Sequence, residues 1–570
     1  MRNKYSLGLS VSIGLLSASV FAATPTDQSN QQELIRQQER ENVLRQQQEQ
    51  TPDVRLEQPK PASKTEHLPL DETPCFIIQH LQLLGDASER FQWLLQAANQ
   101  PDDAVVGRCL GSQGISLVMK RMQNALVERG FVTSRILASP QDLSQGKLVL
   151  TLIPGHVHAV RFAAGSSLRA TQWNALPAKP GDILNLRDIE QALENFKRLP
   201  TADADIQITP SESTDAQPGD SDLVITWKQG NPFRLSLSAD DSGSKSTGRY
   251  QGSATLSFDD WWTLNDLFYV SINHDLDGKS RQTRGTEGYT FHYEIPYGYW
   301  LLGWTASHYD YRQAVAGANQ TYLYSGNSDN QDIKLTRLLY RDAVRKFGAY
   351  LRGWMRSSSN YIDDTEVQVQ KRRMAGWEAG LTHKEFMGDA TLDASFAWRQ
   401  GTGAMSSLPA PEENFGEGTS RPQLRTAELQ LMLPFRLANT QWRYNANWRA
   451  QWNSTPLVPQ DRFSIGGRYT VRGFDGENVL SAERGWLLRN DLALGLGSSG
   501  QELYIGLDYG EVDGPSAENL AGKRLAGGVF GLRGGFKSFS YDLFIGQPYK
   551  KPKHFQTANT TAGFNLNWSL

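Results

Sequence analysis

The sequence predicts a membrane β-barrel of sixteen antiparallel strands, preceded by two small α+β domains and a polar N-terminal helix. Three observations carry that reading. From about Phe233 to Leu570 the apolar residues recur with a period of two, the repeat of a strand with one greasy and one polar face. The connections between these segments alternate between short and long, as turns at one rim and loops at the other require. Ahead of them, residues 74–154 and 155–229 run through the same order of strand and helix patterns twice.

Bulk properties narrow the alternatives. The chain has 570 residues and a formal net charge of −3, so no broad basic field suggests nucleic acid as a partner. Mean hydropathy is −0.50. Past the N-terminus no apolar run approaches the roughly 20 residues that a membrane helix needs. That excludes a helical membrane protein but not a barrel, whose alternating strands average to a polar value. Aromatics are abundant, with 15 Trp, 20 Tyr and 23 Phe.

The elements follow in order. Residues 1–22 combine a basic "MRNK", the short apolar run "LGLSVSIGLLSASV" and a small-residue cleavage site after Ala22, the pattern of a secretory signal peptide. Residues 28–49, "QSNQQELIRQQERENVLRQQQE", are good helix formers with almost no apolar stripe. Such a helix is either solvated or held inside something polar. Residues 50–73 carry Pro52, Pro59, Pro61 and Pro69 and read as an extended linker. In unit 74–154, "CFIIQHLQLLG" is a strand, "ASERFQWLLQAA" and "GISLVMKRMQNALVERG" are helices, and "FVTSRILA" and "KLVLTLIPG" are strands. Unit 155–229 repeats this as "HVHAVRFAAG", a weak helical turn near Trp173, "LRDIEQALENFKRLP", "ADIQITP" and "SDLVITWKQG". Both therefore read as β-α-α-β-β. Export to an oxidising compartment predicts a Cys75–Cys109 disulfide, contributing about 2–4 kcal/mol. Two buried thiols or half a metal site are the alternatives, although no His or third Cys is placed to complete a zinc site.

The barrel occupies 230–570. Its clearest strand is "TQWRYNANWRAQWN": Trp442, Tyr444, Ala446, Trp448, Ala450 and Trp452 on one face, arginines and amides on the other. A soluble sandwich also alternates, but it has no use for polar faces this long and this charged. An even strand count returns both barrel ends to one side, that of the α+β units. Inspection for enzymes finds no G-x-S-x-G, H-E-x-x-H or P-loop pattern, and no cofactor or metal is expected. His156 and His158 alternate on one strand and read as ordinary strand chemistry.

With these residues in hand, the chain resembles the TpsB transporters of two-partner secretion, of the haemolysin, filamentous-haemagglutinin or contact-dependent-inhibition type. The resemblance rests on "CFIIQHLQLLG", "GRCLGSQGI", "GFVTSRILASPQDLSQGKLVLTLIPGHV", "YTVRGFDGE" and "YIGLDYGEV". It implies that the two α+β units are polypeptide-transport-associated (POTRA) domains. The barrel would then lie in the outer membrane of a Gram-negative bacterium, with helix 28–49 plugging its pore. The partner would be a large unfolded exoprotein, recognised through its N-terminal secretion domain and exported without ATP. Membrane lipid and, during biogenesis, the barrel-assembly machinery would be further partners of a monomer. An insertase of the same superfamily and a passive porin or uptake channel are the alternatives. The insertase usually has more POTRA units, and the porin has no use for them.

The resemblance also gives a role to "YTVRGFDGE". By strand parity this motif lies in the external connection between the eleventh and twelfth segments. In the family such a loop folds back into the barrel, and its arginine meets an acid on the next-but-one strand. Here that arginine is Arg472, flanked by Val471, Gly473 and Phe474. Alternation along "ELYIGLDYGEV" independently turns Asp508 inward, with Gly506 and Gly510 beside it leaving room for a loop tip. Pairing of Arg472 with Asp475 or Glu477 on its own loop is the plainer alternative.

Overall fold

The computed structural model describes residues 25–50, 52–57, 67–277 and 283–570. The expected signal peptide, residues 1–22, and part of the expected linker lie outside the described residues.

Sixteen full strands close into one antiparallel barrel, from Phe233–Asp240 to Thr561–Ser569. A two-residue strand, Thr365–Glu366, pairs with the end of the seventh strand, Arg345–Ile362. The seam is short: Asn565 to Ser569 pair with Asp240 to Ser236, and Leu570 exchanges both backbone bonds with Leu235. The outward face is apolar, with Leu256, Ile272, Phe291, Ile333, Leu381 and Phe396 exposed. Inward positions are polar: Thr255, Ser257, Ser271, Thr290, His292 and Asp332 are buried within the barrel. Turns at one rim are tight, such as Ala438–Asn439 between Gln423–Leu437 and Thr440–Asn453. At the other rim the loops are longer, and 454–483 is the longest.

The polar helix spans Pro25–Gln48. It lies within the barrel, where the absence of an apolar face is no handicap. Glu33 accepts from Tyr309 Oη at 2.6 Å and from Thr247 Oγ1 at 2.9 Å. Gln37 accepts from Ser328 Oγ at 2.8 Å, Glu41 from Ser307 Oγ at 3.1 Å, and Arg45 donates to Asp332 Oδ2 at 2.6 Å. These helix positions lie one turn apart, and their strand partners alternate between the neighbouring fifth and sixth strands, Trp300–Ala316 and Thr321–Arg341, so polar contacts recur along the helix.

In the first α+β unit, "CFIIQHLQLLG" is not one strand. Phe76–Ile77 pairs with Cys109–Leu110, while His80–Gly85 joins a sheet of order His80–Gly85, Lys147–Ile153, Arg135–Leu137. The break falls at Ile78 and Gln79, whose backbone N–H groups donate to Arg108 O and Gly146 O instead of continuing a ladder. The first predicted helix is likewise split, into a 3-10 turn Ser88–Phe91 and a helix Trp93–Ala98. The longer helix, Ser112–Glu128, buries Val118, Met122 and Leu126 in the core. Cys75 and Cys109 form a disulfide beside the short strand pair.

The second unit departs from the β-α-α-β-β order. Its sheet runs Val157–Phe162, Ser221–Gln229, Ala202–Pro210 against the single helix Leu186–Lys197. Near Trp173 there is only a turn. Pro177 and Pro180 limit any helix there, and Asn174 is committed to contacts with the barrel.

The expected linker is extended but not free. Val54 and Leu56 pack against the core of the second unit, and their N–H groups donate to Glu194 Oε1 and Glu190 Oε1 at 2.8 and 2.9 Å. Leu68 is buried in the first core. Glu72 accepts from the N–H groups of Gly111, Gln113 and Gly114, capping helix Ser112–Glu128. A charge cluster completes the junction with the barrel: buried Arg341, at the end of the sixth strand, pairs with Glu190 at 3.0 Å and Glu194 at 2.9 Å. Both glutamates are buried between domain and barrel.

Candidate functional site

Loop 454–483 enters the barrel. Its stem is the short pair Phe463–Ile465 with Leu480–Ala482, and the "VRGF" residues form the inner tip. Arg472 reaches Asp508 on the thirteenth strand, Glu502–Asp513. Its Nε donates to Oδ2 at 2.7 Å, its Nη2 to Oδ1 at 2.8 Å, and its backbone N–H to Oδ2 at 2.9 Å. Both residues are buried. The planar guanidinium suits this two-point contact, and a lysine could not reproduce it.

The acids on the loop itself are engaged elsewhere. Asp475 accepts from Ala558 N at 2.9 Å and from Thr557 Oγ1 at 3.1 Å. Glu477 accepts from Lys245 N at 3.1 Å.

Each flanking residue has a physical reason. Val471 and Phe474 are buried in a small apolar cluster with Ile465, Leu487, Leu525 and Phe555, which gives the loop a hydrophobic foothold in a polar lumen. Gly473 has φ +95°, and a Cβ there would lie 2.4 Å from Gln547 O. A Cβ at Gly506 would lie 2.6 Å from Arg472 Nη2, and one at Gly510 would lie 2.9 Å from both Ile465 Cγ2 and Val471 Cγ2.

Sequence reasoning missed three features. Asp491, on the twelfth strand, lies 2.7 Å from Arg472 Nη2, so the arginine faces two carboxylates. Its inward position could have been read from alternation along "GWLLRNDLALGL". The wall behind the loop is also glycine: a Cβ at Gly527 would sit 2.0 Å from Arg472 O, and one at Gly546 2.9 Å from the Gly473 Cα. Only the fold says which glycines of "LAGGVFGLRGG" face the tip. Thirdly, Arg468 ties the loop to the seam. It contacts the Asp241 carboxylate and donates to Phe564 O at 2.6 Å, joining the neighbourhoods of the first and last strands.

Loop and helix touch. Arg36 Nη2 donates to Gly476 O at 2.5 Å, while Arg36 and Arg40 both pair with Glu33, at 3.1 and 3.0 Å. Among the described residues one group, Glu49, His292 and Glu294, brings possible metal-ligand atoms within 4.8 Å of one another. Glu294 pairs with Arg198, Glu49 accepts from Tyr269 Oη, and His292 Nδ1 bonds Thr305 Oγ1.

A closed sixteen-stranded barrel that holds its own polar helix and an inward arginine loop, with the second of two α+β units docked at one mouth, defines a plugged membrane barrel. The comparisons place it further. A model described as "Haemolysin secretion/activation protein ShlB/FhaC/HecB" matches residues 219–534, a ShlB-type POTRA model matches 76–155 and a POTRA model matches 156–210. The chain belongs to the ShlB/FhaC/HecB family. It is 36% identical over 575 residues to the outer membrane transporter CdiB-2 of Burkholderia pseudomallei (strain 1026b), covering 97% of each chain. CdiB from Acinetobacter baumannii superimposes with a TM-score of 0.83 at 31% identity, covering 95% of this chain and 99% of that one. CdiB from Escherichia coli gives 0.79 at 25%, covering 97% and 100%.

Proposed function

We propose that this protein is an outer-membrane transporter, not an enzyme, that receives a large unfolded exoprotein in the periplasm and passes it through its own barrel to the cell surface. The relatives named as outer membrane transporters and as haemolysin transporters support this reading. The observation that carries it is the helix Pro25–Gln48, held in the lumen by polar contacts that water can replace. A plug that buries little apolar surface can leave a pore contact by contact, because each exchanged hydrogen bond is worth about 0.5–1.5 kcal/mol, or about 1.5–3 where a charged group takes part.

The POTRA units are the receiving surface. Strands His80–Gly85 and Arg135–Leu137 lie at the edges of the first sheet, and Val157–Phe162 and Ala202–Pro210 at those of the second. An extended secretion domain at the cargo's N-terminus can add to such an edge. Arg472 and Asp508 anchor the loop in its secretion-competent position, with Val471, Gly473, Phe474, Gly506 and Gly510 shaping the seat. The protein works as a monomer without ATP, and reaches the membrane through the barrel-assembly machinery. Deleting its gene and comparing surface and secreted proteins tests the reading. One large exoprotein should disappear; an unchanged set of exported proteins overturns it.

A further inference from the structure

Leu168 and Trp173, in the connection between Val157–Phe162 and Leu186–Lys197 of the second POTRA unit, are 105% and 62% exposed. Since Leu70 and Ile77 of the first unit are 85% and 58% exposed, exposure alone does not set Leu168 and Trp173 apart. Their position identifies the partner. The Trp173 ring lies 6.0 Å from that of Tyr297, the last residue of the fourth barrel strand. On that strand Thr290, His292 and Glu294 are the buried, lumen-side set, so Tyr297 belongs to the outward, lipid-facing set.

The segment is also fastened at that level. Asn174 Nδ2 donates to Leu264 O, Asn265 Nδ2 donates to Thr171 O at 2.7 Å, and Arg169 donates to Asp260 O. All three barrel residues lie in the turn 260–266, which carries Trp261 and Trp262. Trp261 packs on the outward-facing Phe258 and Phe268 at 4.7 and 5.1 Å. Next along the same rim, Arg337 stacks over Trp300 at 4.7 Å on the lipid face. Aromatic rings with a cation beside them mark the headgroup level of a membrane barrel.

We propose that segment 167–176 of the second POTRA unit is an interfacial membrane anchor, seated among the phospholipids of the periplasmic leaflet. Trp173 extends the barrel's aromatic belt with a ring borne by a periplasmic domain. Leu168 enters the acyl boundary, and Arg169, with its side chain 39% exposed, meets the phosphates. The anchor fixes how the POTRA chain leaves the membrane plane. The surface continues the lipid-facing wall and does not open on the lumen, so lipid fits it better than cargo does.

The test uses the full-length protein in vesicles of phosphatidylethanolamine and phosphatidylglycerol. Cys75 and Cys109 are joined, so Leu168→Cys gives one thiol for an environment-sensitive fluorophore. Ser213→Cys serves as the control, on loop 211–220 at the end of the unit away from the barrel, because Thr201 at the opposite end bonds Asp259. The label at 168 should emit further to the blue, resist iodide several-fold better than the label at 213, and be quenched by phospholipids brominated near the headgroup. Adding Trp173→Gln should restore iodide access at 168 while the barrel stays heat-modifiable. Equal iodide access at 168 and 213, or shielding at 168 that appears only when a soluble protein is added, overturns the proposal.

Discussion

Arg472 and Asp508 meet through both teeth of one guanidinium fork, Nε to Oδ2 at 2.7 Å and Nη2 to Oδ1 at 2.8 Å, across a separation of 36 residues. Removing one partner strands the other as a buried charge, a loss of about 3–5 kcal/mol. That loss falls on the loop and not on the barrel ladder. Arg472→Ala should therefore leave a heat-modifiable barrel in the membrane and sharply reduce export. Arg472→Lys should be intermediate, since one ammonium cannot serve both Asp508 and Asp491. Normal secretion by Arg472→Ala would show that the anchor has no part in transport.

The glycine wall predicts a phenocopy without any change of charge. Gly527→Ala puts a Cβ 2.0 Å from Arg472 O, so the loop must shift. Export should fall as for Arg472→Ala. Gly353→Ala, where a Cβ meets nothing within 4 Å, is the matched control and should export normally.

The helix contacts predict a pore that opens in steps. Deleting residues 28–49 should raise ion conductance in a planar bilayer. Arg45→Ala, which breaks the 2.6 Å contact with Asp332 but leaves that acid its Arg352 partner, should raise the open fraction less, as the loss of one charged contact worth about 1.5–3 kcal/mol among several would. Unchanged conductance after the deletion would make the helix a tether and not a plug.

In the first POTRA unit, Asp103 predicts an acid-sensitive fold. Burial alone would raise its carboxyl, but the Leu68 N–H and the guanidiniums of Arg121 and Arg108 outweigh burial and hold it below the usual carboxylate range. A depressed folded value means the stabilisation is complete above the unfolded value of about 3.9 and is lost as pH falls through the folded value. Asp103→Asn should weaken the unit by about 1–3 kcal/mol near neutrality and flatten this acid limb. Hydrogen exchange of residues 68–110 in the full-length protein, measured against pH, reads both effects.

What the sequence determined by itself is periodic. The alternation in "TQWRYNANWRAQWN" required a strand with a wet and a greasy face, and sixteen such segments required a closed barrel. Alternation along "ELYIGLDYGEV" turned Asp508 inward for the same local reason: side chains leave a strand on opposite faces in turn. The polar helix declared that it had no apolar partner. Nothing local identified what received it. Arg45 and Asp332 lie 287 residues apart, and only barrel closure makes them neighbours. The tertiary structure likewise decided that Asp491 shares Arg472, that Gly527 and Gly546 form its seat, and that Glu190 and Glu194 are buried against Arg341. It also fastened the expected turn near Trp173 to the barrel, through Asn174 and Thr171. Periodicity reports which face of an element is polar. Which polar groups meet across a lumen depends on register and closure, and those belong to the whole chain.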